Sequence, residues 1–85
     1  PRFANVQTNA QASANQSIAV SILAAADVYW AENRTDPTIA LLISGGYIKN
    51  ETYTDYNLIG SSGTYSVTYP VPTGADTTKY TGTVD

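Results

Sequence analysis

Seven carboxylates, seven tyrosines and three Asn-x-Ser/Thr triplets are the side chains of this 85-residue chain with chemistry to offer. Histidine, cysteine and methionine are absent. Their absence excludes nucleophiles of the Ser-His and Cys-His kind, thiolate zinc sites and a disulfide framework. The carboxylates are Asp27, Glu32, Asp36, Glu51, Asp55, Asp76 and Asp85. Hydrolysis of a glycosidic bond needs two of them facing each other across a cleft, and nothing in their spacing sets up such a pair. Calcium needs clustered oxygen ligands. Asp76 beside Thr73, Gly74 and Thr77 is the best local arrangement, yet it brings a single carboxylate. No catalytic, cofactor-binding or metal-ligating residue is assigned, and no enzyme is expected.

Aromatic side chains can also bind, by stacking on sugars or bases. Tyr65, Tyr69 and Tyr80 fall instead in segments with the alternation of strands, where aromatics pair across the sheet. The triplets Asn15-Gln16-Ser17, Asn33-Arg34-Thr35 and Asn50-Glu51-Thr52 fit the acceptor pattern for N-glycosylation, which matters only in an exported chain. Four basic and seven acidic residues give a net charge of −3 with no run of like charge, so direct nucleic-acid binding is not expected. Charged residues are only 13% of the chain. The polar surface must come from Ser, Thr, Asn and Gln, a composition suited to the outside of a cell.

The elements that must position these groups follow from period and punctuation. Residues 1–34 contain no glycine and no proline after Pro1. Apolar residues recur at Phe3, Val6, Ala10, Ala14, Ile18, Ile22, Ala25 and Tyr29, in steps of three and four, which predicts one long helix. Pro1 suits a first helical position, Asn33 can close the helix, and Pro37 cannot continue it. Asp36-Pro37 then predicts an N-cap and first position for a short helix over 38–44, ended by Gly45-Gly46. Beyond Tyr47 the pattern is that of strands. One lies around Tyr56 and Leu58, before the turn cluster 60–63. A second carries Tyr65, Val67 and Tyr69 in strict alternation, and a third runs over 78–84. Short turns make these neighbours antiparallel.

The expected fold is therefore α+β: a single domain, 1–85, with a long helix (1–34), a short helix and connection (35–46) and a small, about three-stranded antiparallel sheet (47–85). Ile18, Ile22, Leu23, Trp30 and Leu42 are its expected core. A helix of ~32 residues is about 48 Å long, whereas a globule of this size is only about 30 Å across. The first half of the helix is accordingly expected to protrude as an alanine-rich stem. Phe3, Val6, Ala10 and Ala14 would pack there against neighbouring subunits. No segment has the ~20 apolar residues needed to span a membrane.

The junction Pro1-Arg2-Phe3, the long helix with Ala24-Ala25-Ala26 and Tyr29, and the stretch Leu41-Leu42-Ile43-Ser44-Gly45-Gly46-Tyr47-Ile48 resemble type IV pilins. The resemblance implies a pilin-like fold and a structural role: a subunit of a type IV pilus, a cell-surface filament built by helix–helix packing. It further implies an apolar segment and a basic leader upstream of Pro1, through which the subunit meets the membrane and the pilus assembly machinery. Partners would be copies of the chain itself; no cofactor is implied. The lack of a C-terminal disulfide loop separates the chain from many pilins that carry one. A pseudopilin of a type II secretion or competence DNA-uptake system shares the architecture. A small secreted binding module using its aromatic-rich sheet is the alternative of another class.

Overall fold

The structure, a computed structural model, describes residues 2–85, with side chains from Asn5 onward. Pro1 and the Phe3 side chain of the expected packing set lie outside the described residues. The order of elements is α1 (Arg2–Asn33), α2 (Ile39–Ser44), β1 (Asn57–Ser61), β2 (Thr64–Thr68) and β3 (Thr83–Val84). The strands form an antiparallel sheet in the order β1-β2-β3. The class is α+β, one long helix laid on a small meander.

α1 sets the shape. Its 32 residues match the longest dimension of a body measuring 48 × 23 × 15 Å. Its second half carries the main core. Ala19, Ile22, Ala25 and Ala26 meet Leu42 of α2 and Tyr65, Val67 and Tyr69 of the sheet. Ile22 and Leu42 are fully buried, whereas Ile18, Leu23 and Trp30 are half-buried at the margin of this cluster. Small alanines on the helix let the sheet come close, and the strand supplies the volume. Alternation in β2 sends Tyr65 and Val67 inward and leaves Thr64, Ser66 and Thr68 on the other face.

The stem is shorter than the sequence predicts. Residues 70–80 fold back along the first half of α1 and form a second small cluster of Ala12, Ala75 and Tyr80. The Asn15 Nδ2 donates to the Pro70 carbonyl at 2.9 Å, Gln11 Nε2 donates to Asn15 Oδ1 at 2.9 Å, and the Asp76 N–H donates to Asn9 Oδ1 at 2.8 Å. Amide side chains that look like stem surface in the sequence are therefore the hooks that hold this loop. Coverage reaches Asn9.

Two further boundaries differ from expectation. Thr38, not Asp36, caps α2: its hydroxyl accepts from the Leu41 N–H at 3.1 Å, the N-cap to third-position bond. Gly45 and Gly46 close the helix as expected, with Gly46 at φ 78° and the Tyr47 and Gly46 N–H groups returning to Leu42 and Ile43. The expected strand over 78–84 shrinks to Thr83–Val84. Asp76 is the reason: its Oδ1 accepts from both the N–H (3.0 Å) and the hydroxyl (2.6 Å) of Thr78, turning the chain before Tyr80.

The hairpin turn is the two-residue Ser62-Gly63, at φ 55° and 88°, as a type I′ turn requires. A Cβ on Gly63 would lie 2.7 Å from Trp30 Nε1, so this glycine also seats the hairpin on the end of α1.

Tyr69 carries a buried hydroxyl with no hydrogen-bond partner among the described residues. A buried unpaired donor costs about 1–3 kcal/mol. Tyr69→Phe should therefore leave stability unchanged or raise it by up to about 1 kcal/mol in urea unfolding. A loss of that size would mean that the hydroxyl has a partner.

Candidate subunit interface

α1 has two faces of different character. The inward one holds Ala12, Asn15, Ala19, Ile22, Ala25 and Ala26, all buried. The outward one is a run of small and β-branched residues, all exposed: Val6, Ala10, Ser13, Ser17, Val20, Ala24, Val28 and Ala31. Val6 is 64% exposed, and Val20 and Val28 are 51% exposed. Asp27 is the only charged side chain between Asn5 and Ala31. A solvated helix face normally carries several charges; this one presents apolar methyl groups along its length. Burying such half-exposed valines against a partner would contribute about 1 kcal/mol each.

Of the expected packing set, Val6, Ala10 and Ala14 are exposed on α1. Val6 and Ala10 lie in the outward run, and Ala14 lies on its flank. Val20, Ala24 and Val28 extend the same face toward the C-terminal end of α1. The widening of the apolar stripe after Ile18, by Val20, Leu23, Val28 and Trp30, predicts Val20 and Val28 on the inward face; the structure leaves both exposed, with Leu23 and Trp30 half-buried.

An open cleft of about 360 Å³ lies on the flank of the outward face, lined by Ile18, Ser21, Ile22, Tyr47, Ile48, Lys49, Glu51 and Tyr53. The Tyr53 hydroxyl donates to the Lys49 carbonyl at 2.8 Å, holding the loop that forms one wall. Burial, then the neighbouring Glu51 carboxylate, raises the Tyr53 pKa, so the phenol stays neutral. The cleft offers aliphatic floor and one charge of each sign, but no activated nucleophile.

The aromatic rings of the sheet do not form a stacking platform. Tyr65, Tyr69 and Tyr80 are at most 7% exposed. Other rings pack edge to face, Tyr29 with Tyr47 at 5.4 Å and Tyr53 with Tyr56 at 6.2 Å between centroids. Among the described residues, no three His, Cys, Asp or Glu side chains gather where they could share one metal ion. Asp76 instead serves the turn at Thr78.

Asp36 has a role that spacing alone does not reveal. Its Oδ1 accepts from the Tyr65 hydroxyl at 2.6 Å and from the Ser62 N–H at 2.8 Å, tying the α1–α2 connection to the tip of the hairpin. The Tyr65 bond first, then the Ser62 bond, lowers the Asp36 pKa. The Thr78 side-chain and backbone bonds lower that of Asp76. Both carboxylates therefore favour the folded state above the ordinary carboxylate pKa near ~4, and that contribution is lost as pH falls through their depressed values. Unfolding midpoints should be flat from about pH 5 to 8 and drop below about pH 4. Asp36→Asn should flatten part of that acid drop; an unchanged profile would remove the latch.

Compared with known protein families, curated proteins and solved structures, the chain matches none.

Proposed function

We propose that this chain is the structural subunit of a surface filament of the type IV pilus kind, assembled from copies of itself by helix packing. The observation that carries the reading is the outward face of α1: an apolar, nearly uncharged face running the length of a helix as long as the molecule. Small residues let helix backbones approach closely, and a helix with two apolar faces is suited to serve its own domain with one and its neighbours with the other. The sheet and the 70–80 loop cover only the inner face and would form the coat of the fibre. In this proposal the subunit waits in the membrane on an apolar segment upstream of Pro1, and the assembly machinery then extracts it into the filament at the cell surface.

Electron microscopy of native cells with antibody against this domain tests the proposal. Gold label spaced along surface fibres is the expected result. Label confined to short envelope-bound fibres would move the chain to the secretion or competence pseudopilins. Label only on dispersed secreted protein would overturn the filament reading.

A further inference from the structure

Three acceptor triplets for N-glycosylation occur in the chain, and the fold treats them very differently. Asn15 is 8% exposed, lies in mid-helix, and uses its Nδ2 to hold the Pro70 carbonyl at 2.9 Å. A sugar on that nitrogen would have to be buried under the 70–80 loop. Asn33 ends α1, and its Nδ2 donates both to the Tyr29 carbonyl at 3.1 Å and to the Tyr47 hydroxyl at 3.3 Å. The next residue, Arg34, is fixed at φ 55° by the helix end. Asn50 is exposed, as Asn33 is and Asn15 is not, and it differs from both in backbone setting and hydrogen bonding. Asn50, Glu51 and Thr52 are all exposed and lie in a loop with neither helix nor strand. The Glu51 N–H folds back onto the Lys49 carbonyl at 3.1 Å, placing Asn50 at the apex of a tight turn. Its side-chain amide has no hydrogen-bond partner among the described residues.

We infer that Asn50 is the N-glycosylation site of the exported protein, on the apex of the loop that walls the α1 cleft. The donor class is an oligosaccharide carried on a polyprenyl phosphate or pyrophosphate, and the catalyst is a membrane oligosaccharyltransferase. The Asn50 Nδ2 attacks the anomeric carbon, and the C1–O bond to the phosphate breaks. The lipid phosphate leaves with the electron pair, and the nitrogen loses one proton to a base of the transferase. Thr52, at the third position of the triplet, supplies the hydroxyl by which acceptors of this pattern are recognised. The product is compatible with the folded domain, because the remaining N–H breaks no internal bond and the glycan points into solvent. Glycosylation here also places a bulky hydrated group beside the cleft, whose wall includes Lys49 and Glu51.

The inference rests on the proposed export of the chain and not on its polymerisation. Protein recovered from native cells, digested and mapped by mass spectrometry, should show the Asn50 peptide carrying a glycan. Enzymatic release should convert Asn50 to aspartate. Asn50→Gln and Thr52→Ala should each abolish the modification, while Thr52→Ser should retain it. A bare Asn50, or a glycan found only at Asn15 or Asn33, overturns the assignment. The two proposals fail separately: fibres built of bare subunits would sink this one alone, and a glycosylated chain that forms no fibres would sink the filament alone.

Discussion

Ile22→Ala should destabilise the domain by about 2–5 kcal/mol, the cost of deleting a buried aliphatic side chain and leaving part of its volume empty. Ile22 is fully buried where α1, α2 and the sheet meet, among Ala19, Ala25, Leu42, Tyr65 and Val67. Its buried helical neighbours in that cluster are alanines, too short to move into the gap; Ile18 and Leu23 at the margin set how far the gap can close. A chain of 85 residues has a total stability on the order of 4–13 kcal/mol, so this one substitution removes a large part of it. Trp30→Ala provides the contrast. Trp30 is half-buried, with its ring against Gly63 and the Arg34 guanidinium 5.8 Å from its centre. Its loss should cost about 2 kcal/mol, below the 3–5 of a fully buried aromatic. Urea unfolding with unchanged m-value checks both. A loss under about 1 kcal/mol for Ile22→Ala, or a larger one for Trp30→Ala, would move the centre of the core away from Ile22 and toward the helix end.

What was legible in the sequence was whatever depends on neighbours along the chain. The helix without glycine, the Gly45-Gly46 stop, the Tyr65-Val67 alternation and the turn around Gly63 each follow from local period or local φ. The facing of the first half of α1 was not legible, and helix geometry says why. Steps of four residues advance about 400°, so each step drifts ~40° around the axis. The row Val6, Ala10, Ala14, Ile18, Ile22 therefore winds from the outward face to the inward one. Ala12, Asn15 and Ala19 hold the inward line in its place. Asn9 and Asn15 look like polar surface because their partners, Asp76 and Pro70, are more than fifty residues away, and Gln11 does because it serves Asn15. Asp36 misleads for the same reason. Its position before Pro37 has the local chemistry of a cap, but Tyr65 and Ser62 offer its carboxylate two charge-assisted bonds, and Thr38 is left to cap α2. The outward valines were visible as apolar residues; that they lack a partner is information only the fold contains.

Ala14→Glu should leave the isolated domain almost as stable as before and stop or sharply weaken fibre assembly. Ala14 is exposed on the flank of the outward face, and Ala10 lies one turn earlier within it. Alanine and glutamate have similar helix propensity, and exposed helix substitutions usually stay within about 0.5 kcal/mol. In a fibre the same position would meet a neighbouring helix. A carboxylate there would be taken out of water with no nearby cation on α1 to pair with it, since Asp27 is the only charge between Asn5 and Ala31. Breaking or omitting the partner of a buried charge costs about 3–5 kcal/mol. Every ~1.4 kcal/mol is tenfold in association, so the critical concentration for assembly should rise at least a hundredfold. Ala14→Ser, which keeps the size small and adds no charge, should assemble normally. Ala10→Glu, nearer the centre of the face, should be at least as damaging as Ala14→Glu. Thermal unfolding of the domain and fibre yield from cells bearing each variant decide the matter. If Ala14→Glu and Ala10→Glu both unfold the domain, the loop over 70–80 reaches further around α1 than its contacts indicate. If both leave the domain intact and fibres still form at the normal yield, this face of α1 does not join subunits, and the filament proposal loses the observation that carries it.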